Sequence, residues 1–165
     1  MATLEAIYFD LDGTVADLYD YPNWLDLLHD EDTTPYEQAA PLTDMRALNT
    51  LLENFIALGV TIGVISWSAM GGSKEYNRAT RKAKREWVTK YLPCVSEFHV
   101  VKYGTPKHKV RKLNHSILVD DNAEVRANWK GATIDASNPA NTLNELEKLL
   151  VNLTKTFSAD KRYDK

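Results

Sequence analysis

Short, mostly apolar runs alternate along this chain with longer stretches whose apolar residues recur every three or four positions. "EAIYF" (5–9), "VTIGVIS" (60–66), "EFHVV" (97–101), "SILVDDN" (116–122) and "ATID" (132–135) are brief and mostly apolar, the pattern of buried strands. Between them, Leu48, Leu51, Leu52 and Phe55 share one helical face, with Thr43 as the expected cap and Gly59 as the stop. Residues 74–92 contain no breaker and predict a long basic helix. Residues 106–113 predict a short helix opened by proline, and 123–129 another. Thr142-x-x-Glu145 reads as a capping box ahead of Leu143, Leu146, Leu149, Leu150 and Leu153. Strands alternating with helices imply an α/β domain, a mostly parallel sheet with helices on both faces.

Residues 1–155 are expected to form one domain, with 156–165 a polar tail. The segment 15–42 carries Pro22, Pro35 and Pro41 and a short helix around Trp24, Leu25, Leu27 and Leu28. It is too short for a core of its own, so a small cap-like insertion is expected. The 165 residues suffice for one core; 44% are hydrophobic and 26% charged, as in ordinary globular proteins. No apolar run reaches membrane-spanning length. The start, Met1-Ala2-Thr3-Leu4-Glu5, lacks a basic leader pattern. A lone Cys94 excludes an internal disulfide framework and leaves a structural zinc site without ligands. These points place the expectation in the cytoplasm.

Charge sharpens the picture. The net charge is −3, yet residues 1–45 hold eleven Asp/Glu and no Lys or Arg, whereas 74–112 hold twelve Lys/Arg and three Asp/Glu. Either these are two solvated faces, or the basic stretch flanks an anionic substrate, with nucleic acid one such partner. In parallel α/β sheets ligands sit at the carboxyl ends of the strands. There the sequence puts Asp10 and Asp12, then Ser66, then Asp120 and Asp121, with Lys102 and Lys107 just past the third strand. Asp10 and Asp12, two apart in an extended segment, point to one side. Four carboxylates in one cleft require a cation, and hard oxygen donors suit magnesium. A metal, a carboxylate nucleophile, a hydroxyl and a lysine together make a phosphoryl-transfer set.

"FDLDGT", then "VIS", then a lysine, then "LVDD" resembles the haloacid dehalogenase (HAD) superfamily of phosphatases and phosphotransferases, in its short, nearly capless, phage-like form, over about residues 4–150. The resemblance implies a Rossmann-like five-stranded sheet in the order 3-2-1-4-5 with a minimal cap. It implies a magnesium-dependent phosphomonoester hydrolase. Asp10 would be the nucleophile that becomes an aspartyl-phosphate, and Asp12 the general acid and base. Magnesium would be held by Asp10, the Asp12 main-chain carbonyl and Asp121, with Asp120 as an outer partner. Ser66 and the Trp67 N–H would bind phosphate oxygens, and Gly13 would let the chain turn away from the metal. Lys107, at a helix start that favours phosphate, is the expected phosphate-binding lysine, with Lys102 the alternative. Trp67 departs from the small or polar residue common in the family; it either stacks on a substrate ring or plugs against the core.

The expected substrate is a small phosphomonoester or nucleotide. The alternatives are a polynucleotide terminal phosphate, tracked by the basic helix, and a non-catalytic phosphate-binding module, which the intact Asp12 argues against. A phosphotransferase or mutase is disfavoured by the lack of a water-excluding lid. No Gly-x-Gly-x-x-Gly follows the first strand and no Walker sequence exists, so dinucleotide and P-loop readings fail. A receiver domain would need its acceptor aspartate on the strand that here ends in His99-Val100-Val101.

Overall fold

The computed structural model describes residues 4–160. Along the chain come β1 (Ala6–Phe9), β2 (Ala16–Asp17), α1 (Trp24–His29), α2 (Thr34–Gln38), β3 (Ala40–Pro41) and α3 (Met45–Ala57). They are followed by β4 (Thr61–Trp67), α4 (Lys74–Tyr91), β5 (Glu97–Val101) and a 3-10 turn at Lys107–Lys109. The chain closes with β6 (Ser116–Asp120), α5 (Ala123–Ala127), β7 (Thr133–Asp135) and α6 (Pro139–Asp160). In space the central sheet runs β5-β4-β1-β6-β7 and is parallel throughout. Its numbering departs from 3-2-1-4-5 because β2 and β3 form a separate antiparallel pair. Set that pair aside, and the spatial sequence of the five remaining strands is third, second, first, fourth, fifth.

The central strand β1 is buried on both faces, which is why its sequence shows no polar alternation. Ile7 and Phe9 pack with Leu48, Leu52 and Phe55 of α3, Trp87 and Val88 of α4, and Leu146 of α6. Ala6 and Tyr8 face the other way, against Ile65, Leu118 and Trp129. Tyr8 fits only because its neighbour in β4 is Gly63: a Cβ there would stand 2.5 Å from the Tyr8 ring. The Tyr8 hydroxyl donates to Glu97 and accepts from the Lys112 N–H, so its polar end is satisfied inside the fold.

Several local expectations need correction. The cap of α3 is Asp44, one residue after Thr43; its carboxylate accepts from the Arg46 and Ala47 N–H groups. The Thr142–Glu145 capping box does not form. Asn138-Pro139 starts α6 earlier, with the Asn138 side chain accepting from Ala140 N–H, and Thr142 lies buried inside the helix. The helix expected over 106–113 is only the three-residue turn at Lys107–Lys109. The polar tail expected from 156 is helical through Asp160, and 161–165 lie outside the described residues.

The 15–42 segment contains β2, α1, α2 and β3 and has no separate core. Leu18 and Tyr36 pack with Tyr76 and Ala83 of α4, and Trp24 and Leu28 lie against that cluster. Hydrogen bonds fix it in place. Trp87 Nε1 donates to the Ala39 carbonyl at 2.8 Å, and the Tyr76 hydroxyl donates to the Asp32 carbonyl. The Glu31 carboxylate accepts from the N–H and hydroxyl of Ser73, the cap of α4. A short insertion thus borrows the apolar face of a long helix. Among the described residues no helix is long and apolar enough to cross a membrane.

Phe55 is fully buried where α3 meets the sheet. Phe55→Ala is expected to lower unfolding free energy by about 3–5 kcal/mol, read as a lower urea midpoint with an unchanged slope.

Candidate functional site

β1 continues its pairing one residue past its end, since Asp10 N–H donates to the Val119 carbonyl at 2.9 Å. The chain then folds tightly. The N–H groups of Thr14, Val15 and Ala16 all reach the Leu11 carbonyl, and Gly13 adopts φ +78°. A side chain at Gly13 would meet the Tyr19 ring at 2.5 Å and an Asp121 oxygen at 2.7 Å. Glycine is therefore required both by the backbone and by the crowding around Asp121.

This turn brings carboxylates from the ends of β1 and β6 together. One oxygen from each of Asp10, Asp120 and Asp121 falls within 4.8 Å of the others. Lys107 joins them: its ammonium donates to Asp10 Oδ1 at 2.6 Å and to Asp120 Oδ2 at 2.7 Å. Of the two candidate lysines, Lys107 is thus the one in the cluster. Lys102 is exposed and lies outside the cavity lining. The helix-start argument for Lys107 does not hold, because a three-residue turn carries no appreciable dipole. What holds Lys107 is ion pairing. Asp120 is almost wholly buried, and both its oxygens are engaged, by Lys107 and by the Asn122 N–H. Asp121 is half-buried, and one of its oxygens accepts from the Thr14 hydroxyl.

Asp12 is held separately, by a residue of the basic stretch that was not singled out in the sequence. Lys84 of α4 is only 2% exposed. Its three ammonium protons have three acceptors: Asp12 Oδ2 at 2.5 Å, Ser66 Oγ at 2.9 Å and the Trp67 carbonyl at 2.7 Å. The Tyr36 ring lies 4.6 Å from the same nitrogen. Ser66, the expected phosphate ligand, is fully buried and its hydroxyl accepts from Lys84. The next residues, Trp67 and Ser68, line the cavity instead. Trp67 is no core plug. Its indole N–H donates to the Thr105 carbonyl, and its ring sits over the cavity beside Tyr103.

The basic stretch is also partly consumed by the fold. Arg81 donates to the Val100 carbonyl and Arg85 stacks on Phe98. Lys84 was recoverable from the sequence in one respect: it follows Thr80 by one helical turn, on the face that carries Tyr76, Ala83 and Trp87.

The charge balance explains the electrostatics. Four carboxylates line a cavity of about 290 Å³ together with Lys107, and Lys84 pairs with Asp12 from outside that lining. Burial, then the charge of Asp10, pushes Asp120 up to about 6 and raises Asp121 as well. Asp12 is also raised, because burial outweighs the attraction of Lys84. Burial alone would lower Lys107, but Asp10 and Asp120 together raise it. Excess negative charge is thus relieved either by protons or by a cation. The donor set of Asp10, Asp120 and Asp121 contains only hard oxygens, with no thiolate or imidazole, and fits magnesium. No family model and no curated protein matches the chain.

Two outcomes follow from this electrostatic arrangement. Lys84→Met leaves Asp12 unpaired against the cavity wall and should destabilise the fold by roughly 3–5 kcal/mol; Asp12→Asn in the same chain should recover part of that loss in chemical denaturation. The second concerns pH. A carboxyl whose pKa is about 6 when folded and 3.8 when unfolded binds its proton more tightly in the native state. With a chelator present, that group's contribution should therefore fall as pH rises from about 4 to about 6. Asp32 and Asp135, lowered from 3.8, change their contributions below that window, and Glu31, lowered from 4.5, overlaps only its lower edge, with the opposite sign. Magnesium should consequently raise the thermal midpoint more at pH 7 than at pH 5.

Proposed function

We propose that the chain is a magnesium-dependent phosphomonoester hydrolase acting through a covalent phosphate on Asp10. The observation that carries this reading is the convergence of Asp10, Lys107, Asp120 and Asp121 at the sheet's carboxyl edge, with Asp12 fixed beside them by its own lysine. The resemblance of "FDLDGT" and "LVDD" to the haloacid dehalogenase superfamily supports it.

In this reading an Asp10 oxygen attacks phosphorus and the ester P–O bond breaks. The departing alkoxide takes its proton from Asp12. A carboxyl whose pKa is raised keeps that proton available. Water then attacks phosphorus, gives its proton to Asp12, and releases inorganic phosphate as the bond to Asp10 breaks. Lys107 holds Asp10 in place and offers positive charge to the phosphate oxygens. Lys84 acts through Asp12, keeping its carboxylate from swinging toward the metal ligands. A magnesium ion held by Asp10, Asp121 and Asp120 would supply positive charge against the transferring phosphoryl oxygens. Asp121 has the less engaged carboxylate, which favours it over Asp120 as the direct ligand.

Hydrolysis of an aryl phosphate should require magnesium and be reduced to background in Asp10→Asn. Uncatalysed monoester hydrolysis is among the slowest known reactions, with enzymatic acceleration reaching about 10²¹-fold, so losing the nucleophile leaves almost nothing. Beryllofluoride, a mimic of the acyl phosphate, should attach to Asp10. An adduct on Asp12 would reverse the two roles, and substantial turnover by Asp10→Asn would refute the covalent route. Magnesium-dependent phosphate binding without hydrolysis would identify a non-catalytic module.

A further inference from the structure

The large hydrophobic side chains left exposed are not scattered over the described surface. Six are prominent: Tyr19, Leu25, Ile56, Met70, Tyr103 and Val151. Four of these, Tyr19, Leu25, Met70 and Tyr103, line the cavity whose wall includes Asp10 and Asp12. Met70 is 74% exposed. Apolar exposure gathered at one mouth, around convergent polar groups, marks a ligand site.

The aromatic members form two pairs. Tyr19 and Trp24 meet edge to face with centroids 5.1 Å apart, and Trp67 and Tyr103 meet at 5.0 Å. Both pairs begin at the acid cluster. The Tyr19 ring crowds Gly13 next to Asp121, and the Trp67 ring centre is 5.5 Å from the Lys107 nitrogen. The pairs come from different parts of the chain, one from the insertion and the other from the last residue of β4 and the segment after β5, and all four rings line the same cavity. Beyond the acid cluster and Lys107, the lining offers no Lys or Arg, only His29 and neutral side chains. A second phosphate would find no counter-charge there. The volume of about 290 Å³ is at the small end for ligand pockets, large enough for a monomer.

We infer that the cavity selects a phosphomonoester whose leaving group carries an uncharged planar aromatic ring, with the ring held between the Tyr19–Trp24 and Trp67–Tyr103 pairs. The phosphate end of this inference rests on the hydrolase reading; the ring end rests on the aromatic walls alone. A nucleoside monophosphate and an aryl phosphate share this chemistry and differ in how far the ring stands from the ester oxygen.

The test compares a purine nucleoside monophosphate, phenyl phosphate and ribose 5-phosphate. With magnesium, at least one ring-bearing ester should exceed ribose 5-phosphate in kcat/KM by roughly ten- to a hundredfold, the scale of base–aromatic stacking. Preference for the nucleotide identifies a ring set off by a sugar, and preference for phenyl phosphate a ring on the ester oxygen. Trp24→Ala and Tyr103→Ala should each shrink the ratio. Ile56→Ser, on α3 and outside the cavity lining, should leave it unchanged. Equal kcat/KM for ringed and ringless esters, or a ratio unmoved by both aromatic substitutions, would overturn the inference. So would a nucleoside diphosphate preferred over the monophosphate, or a 5′-phosphorylated oligonucleotide preferred with steep salt dependence. Binding of the same ligands, followed by tryptophan fluorescence, requires no turnover. A protein that prefers the ring in binding yet hydrolyses nothing keeps the ring site and loses the hydrolase; one that hydrolyses all esters equally keeps the hydrolase and loses the ring site.

Discussion

Two buried ammonium groups hold the carboxyl edge of this sheet together. Lys107 bridges Asp10 and Asp120, and Lys84 holds Asp12. Four carboxylates so close would otherwise repel one another and lose hydration. Two lysines offset part of that charge, and burial, followed by repulsion from Asp10, keeps three of the acids raised above their ordinary values. The three acids Asp10, Asp120 and Asp121 bring their oxygens close enough together to hold a metal ion. Lys84 and Lys107 also keep the carboxylates in two sets: Asp10, Asp120 and Asp121 share one focus, while Asp12 is directed to another.

The sheet makes such crowding tolerable because it is rigid where the charges emerge. β1 is covered on both faces and paired with β4 and β6, so Asp10 leaves a strand that has no freedom to recoil. The same sheet accommodates the Tyr8 ring over Gly63 and anchors its hydroxyl, a local solution that ties β1 to β5 and to the segment after the 3-10 turn. The insertion contributes the other wall of the cavity. It lacks a core, yet it is fixed to α4 by Trp87, Tyr76 and the Glu31–Ser73 contact. α4 therefore does two jobs: one face supports the insertion, and Lys84, on the same face, reaches Asp12 at the sheet's carboxyl edge.

The three central strands β1, β4 and β6 were legible in the sequence because a strand buried on both faces leaves a nearly unbroken apolar run, as at 6–9 and 117–119. The acids at their ends were legible for the same reason: a carboxylate directly after such a run is conspicuous. Where short-range signals competed, the sequence misled. Asp44 and Thr43 are both capable caps, and Asn138-Pro139 starts α6 before the Thr142 pattern takes effect. β2, β3 and α2 are two to five residues long, too short to show any period.

The sequence by itself determined the alternation of strands and helices, the covered faces of β1, and which acids stand at the sheet edge, since these depend on local period and burial. Only the tertiary structure decided which lysines meet those acids. Lys102 and Lys107 are separated by four residues, and Lys84 sits among arginines and lysines indistinguishable in composition. A lysine's long stem lets its charge serve solvent or a buried carboxylate equally well, so the choice rests on what the fold places within reach. Ser66 shows the same limit. Strand alternation gives its side chain to one face or the other, and only the packing of α4 on that face turns its hydroxyl toward Lys84 and leaves Trp67 and Ser68 to the cavity.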